Sequence, residues 1–173
     1  MLNIFSFVVA IIGVVGLLFS LRQAYRARLR QFEEKYVERY WSILDSLSLA
    51  ALSISDQLPD HDDEVTIRKY IFLCEDELQM RKNGYISDET YYEWADGMLD
   101  QLKQPMFKQI WDRVQDEANQ HKRGVFAYEN LRNLLDATTE KGTWDIEALR
   151  RADPLKQLAT VRTIRGLKGI TGV

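Results

Sequence analysis

The sequence predicts an all-α protein: one N-terminal transmembrane helix continuing into a stalk and a cytoplasmic helical bundle. Three observations predict it. Leu2 to Leu21 reads LNIFSFVVAIIGVVGLLFSL and contains no charged residue. Apolar residues beyond it recur at three- and four-residue steps in several separate stretches, the mark of one-sided helices. No stretch alternates apolar and polar residues for long enough to make a sheet strand. The chain divides into an anchor (1–21), a basic collar and helical stalk (22–40), a helical bundle (41–153) and a basic C-terminal tail (154–173).

About twenty helical residues rise roughly 30 Å, the thickness of a bilayer's hydrocarbon core. A helix satisfies its own backbone there, where water is absent. No Lys or Arg precedes the run, and Tyr25 and Arg26 after it are poor cleavage residues, so the stretch reads as an uncleaved anchor and not a signal peptide. Arg22, Arg26, Arg28 and Arg30 follow immediately. Cationic collars stay on the cytoplasmic side, which predicts an inner-membrane, single-pass protein with its N-terminus out and its C-terminal domain in the cytoplasm. Arg22, Arg26 and Arg30 share a helix face, and each contributes about 1 kcal/mol near anionic lipid. Setting topology is their simpler role. Ser6/Ala10 and Gly16/Ser20 are small-residue pairs four apart, a spacing that permits close approach of a second span.

Tyr25, Leu29, Phe32, Tyr36, Tyr40, Ile43 and Leu47 form one apolar stripe, and no Pro or Gly interrupts the chain between Leu21 and Gln57. This predicts a long helix leaving the membrane, with Trp41 to Ile54 buried nearly all round. Pro59 ends it, and Asp62 or Asp63 caps the next helix, which runs to about Lys82. Ile67, Ile71, Cys74 and Leu78 face inward there, with Tyr70 and Leu73 beside them, while Glu75, Asp76 and Glu77 fall mostly on the solvent side. Asn83-Gly84 is a stop, and Ser87 caps the following helix, with Tyr91, Ala95, Met98 and Leu102 inward. Pro105 opens another through Phe107, Ile110, Trp111, Val114 and Ala118. Phe126 to Ala137 and a short helix from Thr143 to Arg151 complete the bundle, ended by Asp153-Pro154. In the tail, Leu155, Leu158, Val161, Ile164 and Leu167 recur every three residues, a period that drifts around a helix.

Composition excludes several classes. The net charge is -3, and between Asp56 and Asp100 the cations are Arg68, Lys69, Arg81 and Lys82 alone, so no nucleic-acid partner is expected. A single cysteine, Cys74, rules out an intramolecular disulfide and cysteine-based zinc clusters. His61 lies among Asp60, Asp62, Asp63 and Glu64, yet an EF-hand loop counted from Asp60 would need Gly and Glu where Val65 and Ile71 stand. Zinc-protease, nucleophile-elbow and P-loop motifs are absent. No metal, cofactor or small-molecule substrate is predicted.

The segment FLCEDELQMRKNGYISDETYYEWADGM, with Arg39-Tyr40-Trp41 before it and Pro105 and Trp111 after it, resembles a group of uncharacterised bacterial proteins. These carry one N-terminal span, a basic collar and a small helical domain. The resemblance implies a bacterial inner-membrane, all-helical protein and assigns no functional residue.

The function expected is a non-enzymatic, membrane-tethered interaction or scaffold module. Its partners are the membrane and either another protein or a second copy. The expected partner surface is aromatic: Tyr85, Tyr91, Tyr92 and Trp94, since aromatic side chains are good binding anchors. Two other readings stand beside it. One is a self-associating, toxin-like membrane effector. The other is an enzyme built on paired carboxylates such as Glu75 with Glu89, or Glu93 with Asp96.

Overall fold

The structure is a computed structural model that describes residues 2–52, 59–120, 127–139 and 146–158. Seven helices are named among the described residues: α1 (Leu2–Leu44), α2 (Leu49–Leu52), α3 (His61–Lys82), α4 (Asp88–Leu102), α5 (Pro105–Gln120), α6 (Glu129–Thr139) and α7 (Ile146–Ala152). Residues 154–158 are helical as well, and no strand occurs among the described residues. Helix α3 is the hub: α1, α4, α5 and α6 all pack on it, and α7 closes the far side against α4 and α6.

The packing follows the apolar spacing. Ile67, Tyr70, Ile71, Cys74 and Leu78 of α3 are buried. They meet Tyr91, Ala95, Met98 and Leu99 of α4, Phe107, Ile110 and Val114 of α5, and Leu131 and Leu134 of α6 in one core. Each large apolar side chain so buried contributes roughly 1.5–3 kcal/mol of transfer free energy. Gly84 takes the left-handed conformation, φ 79°, that ends α3 without a Cβ penalty. Ser87 caps α4 by accepting from the Thr90 backbone N–H.

The apolar stripe of α1 packs along the bundle. The Tyr25 hydroxyl donates to the Gly84 carbonyl at 3.1 Å. Phe32 stacks on Tyr85 with ring centroids 5.2 Å apart. Glu33 accepts from the Ser87 backbone N–H at 3.0 Å, and the Tyr36 hydroxyl donates to Asp76 at 2.9 Å. The segment expected to stand as a stalk therefore lies against α3 and α4 from Tyr25 onward.

Four local expectations are corrected. First, α1 stops at Leu44 and not near Gln57. The Ser48 hydroxyl donates to Asp63 at 2.6 Å, and its backbone N–H donates to the same carboxylate at 2.9 Å, so a tertiary contact breaks the helix without Pro or Gly. Trp41 and Leu49 are then 56% and 87% exposed, not wrapped in core. Second, the α3 N-cap is Asp60, which accepts from the Asp63 N–H at 2.8 Å; Asp63 is buried and engaged by Ser48. Third, Glu77 is buried on the face it shares with Tyr70 and Cys74, and Glu75 is half-buried, accepting from Asn130 and Leu131 at the start of α6. Fourth, Asp153-Pro154 interrupts the chain for one residue only, since Asp153 accepts from the Leu155 N–H at 3.0 Å and the helix resumes. Phe126, Thr143 and the tail beyond residue 158 lie outside the described residues.

Candidate functional site

Where α1, α3 and α4 converge they leave a cavity of about 250 Å³. Its walls carry Tyr40 and Trp41 from α1, Tyr70 and Glu77 from α3, and Trp94 and Gly97 from α4. Helical geometry assembles it. Tyr70 and Glu77 stand two turns apart on one side of α3, and Trp94 and Gly97 stand one turn apart on α4. Tyr40 leans on Tyr70 with centroids 6.2 Å apart, and Trp41 sets its ring edgewise to Tyr40 at 5.4 Å. Trp94 is held from behind by Tyr36 at 5.9 Å. A Cβ built on Gly97 meets nothing within 4 Å, so that wall is open backbone facing free space.

Glu77 is the chemically distinctive group. It is 7% exposed. Burial pushes its carboxyl up to about 8; Arg39 opposes the rise and the neighbouring Asp76 adds to it. Arg39 itself pairs with Asp76 at 3.1 Å and lies over the Tyr36 ring at 5.3 Å. Burial also raises the Tyr40 and Tyr70 hydroxyls, with Cys74 and Glu77 adding to both. The result is an aromatic-walled recess with one buried acid on its wall.

Of the four aromatic residues expected to form a partner surface, only Trp94 lines this recess. Tyr91 is corrected to core: it is 2% exposed, its hydroxyl donates to the Leu149 carbonyl at 3.0 Å, and its ring lies under the Arg81 guanidinium. Tyr85 is half-buried against Phe32. Tyr92 is half-buried and receives the Lys156 ammonium at 3.1 Å. Sequence reasoning missed Tyr40, Trp41, Tyr70, Glu77 and Gly97 as a set. The signal was there in part, since Tyr70, Cys74, Glu77 and Arg81 step by three or four residues and so share a face.

Arg22, Arg26, Arg28 and Arg30 are all exposed, and none joins an ion pair among the described residues. Of the carboxylates considered for hydrolytic chemistry, Glu75 has structural contacts. Glu75 accepts from the Leu131 N–H at 2.8 Å and the Asn130 side chain at 2.7 Å, closing the start of α6 onto α3. No cluster of three or more His, Cys, Asp or Glu suited to a metal occurs among the described residues. Comparison with protein-family models, curated proteins and solved structures finds no match.

Proposed function

We propose that the chain is a single-span membrane protein whose helical domain lies in the cytoplasm and works as a non-enzymatic tether or interaction module. The observation that carries this reading is the continuity of α1. One helix, long and apolar enough to cross a membrane, runs without interruption from its exposed apolar half into the bundle. Its apolar residues from Phe7 to Leu21 have no protein cover. The unpaired arginines begin where that half ends, and they suit the headgroup level of a cytoplasmic leaflet. Tyr25, Phe32, Glu33 and Tyr36 then clamp α1 to the bundle, so the domain is held beside the membrane and not on a loose leash.

The test is alkaline extraction of membranes from bacterial cells expressing the full chain with a C-terminal tag, with mass analysis of its N-terminus. The expected result is an intact chain in the membrane pellet, its tag accessible to protease only in inverted vesicles. Release into the alkaline supernatant, or a mature form that begins beyond the apolar stretch, would overturn the reading. The module role predicts a stoichiometric partner retained in a mild-detergent pull-down.

A further inference from the structure

We propose that the recess between α1, α3 and α4 binds a small substituted ammonium ion free in solution, its charge against Glu77 and its alkyl groups against Tyr40, Trp41 and Trp94. This goes beyond the tether reading and does not depend on membrane insertion. Aromatic faces carry negative charge density and attract cations, most strongly when water is excluded. The recess offers several such rings around one acid. Glu77 is 7% exposed, and the cation that faces it, Arg39, is paired with Asp76. An ionised buried acid whose nearest cation is already shared with a second carboxylate is costly, and a cation in the recess adds the charge that Arg39 divides.

The charges facing Glu77 from each packed element agree. From α1 come Arg39, already engaged by Asp76, and the Tyr36 and Tyr40 hydroxyls. From α3 come Asp76, Tyr70 and Cys74. From α4 comes Glu93 on the lining. Arg39 is the only cation among them and is paired with Asp76, so the recess is negative once Glu77 is ionised.

Size and chemistry narrow the ligand. A volume of about 250 Å³ lies below the roughly 300–1,000 Å³ of pockets for drug-sized molecules. Hard metal ions demand about six oxygen ligands, which ring faces do not provide. A neutral apolar guest gains nothing from an ionised Glu77. A lipid headgroup at the level of Leu21 stands about 24 Å of helix rise below Val37 at the recess, too far to reach it.

The test is calorimetry and tryptophan fluorescence on the full chain in detergent, with choline as probe and its uncharged isostere 3,3-dimethyl-1-butanol beside it. Saturable choline binding is expected, with the isostere weaker by at least about tenfold. Glu77→Gln is expected to weaken choline by at least about tenfold without lowering the melting temperature. Gly97→Leu, whose side chain enters the recess from an uncrowded backbone position, is expected to block it. Choline requires the ionised acid, so its affinity is expected to rise with pH until Glu77 is fully ionised, above about 8, and to stay flat in Glu77→Gln. Equal binding of choline and its isostere, no saturable choline signal, or unchanged affinity in Glu77→Gln would overturn the proposal. Displacement of choline by phosphatidylcholine vesicles would overturn the assignment to a free ion in favour of a headgroup.

Discussion

Arg81 and Asp153 meet in the protein interior, 72 residues apart in the chain, with the guanidinium Nε donating to Oδ1 at 3.0 Å and Nη2 to Oδ2 at 2.6 Å. Both side chains are sealed from solvent. Arg81 also donates to the Ile86 carbonyl at 2.8 Å and to Asp88 at the start of α4. One residue near the end of α3 thus fastens the α3–α4 turn and the segment after α7.

Removing one partner leaves the other charge buried. Asp153→Ala is expected to cost about 3–5 kcal/mol, the range for breaking a buried ion pair from one side. Urea unfolding of the full chain in detergent, followed by far-UV circular dichroism, measures this. A loss below about 1 kcal/mol, typical of an exposed pair, would show that Asp88 and Ile86 alone satisfy Arg81.

The Ser48–Asp63 contact ends α1 and starts α2. Ser48→Ala removes a donor to buried Asp63 and the oxygen that accepts from the Ala51 N–H at 3.2 Å. The expected cost is about 1–2 kcal/mol. Ser46→Ala, at an exposed hydroxyl bonded within its own helix turn, is the control and should change little.

Glu77 predicts a pH dependence of stability. Its folded value, about 8, lies above the ordinary 4.5, so the folded chain holds a proton that the unfolded chain gives up. This contribution is complete below about 4.5, declines as pH rises and is gone above about 8, with a limiting slope of about 1.4 kcal/mol per pH unit. Glu77→Gln lacks that slope. The difference between the two proteins in denaturant midpoint should therefore widen in the variant's favour from pH 5 to 8. A constant difference would show that Glu77 is ionised throughout.

Cys74 is buried, and burial holds its thiol well above the ordinary range. A maleimide or disulfide reagent is expected to leave it untouched in the folded chain and to modify it fully after unfolding in guanidinium. Its labelling therefore reports opening of the α3 core, not which side of a membrane the domain occupies. Stoichiometric labelling under native conditions would contradict the packing around α3.

Much of the fold was legible because its punctuation is local. Gly84 needs only its own φ, Ser87 only the N–H of Thr90, and Pro105 only a first turn to occupy. The end of α1 was not legible, since Ser48 stops it through Asp63, a partner 15 residues away that is identified only by the tertiary fold. The recess was legible in half. Spacing alone sets Glu77 on one face with Tyr70 and Cys74, whereas its charge, beside Glu75 and Asp76, argues for solvent. In this helix periodicity decides, and Glu77 is buried. Tyr40 and Trp41 show only an apolar stripe in the sequence, because their cavity needs Trp94 and Gly97 from another helix.

The unbroken α1 has a mechanical consequence. The recess has two walls on the bundle, and its third belongs to the same rigid rod as the apolar half. A slip of α1 by one residue along its axis amounts to about 1.5 Å and a turn of about 100°. Such a slip would carry Tyr40 and Trp41 past Glu77 by the same step. The clamps at Tyr25, Glu33 and Tyr36 hold α1 against that movement, so the same contacts that fix the height of the apolar half set the register of the third wall.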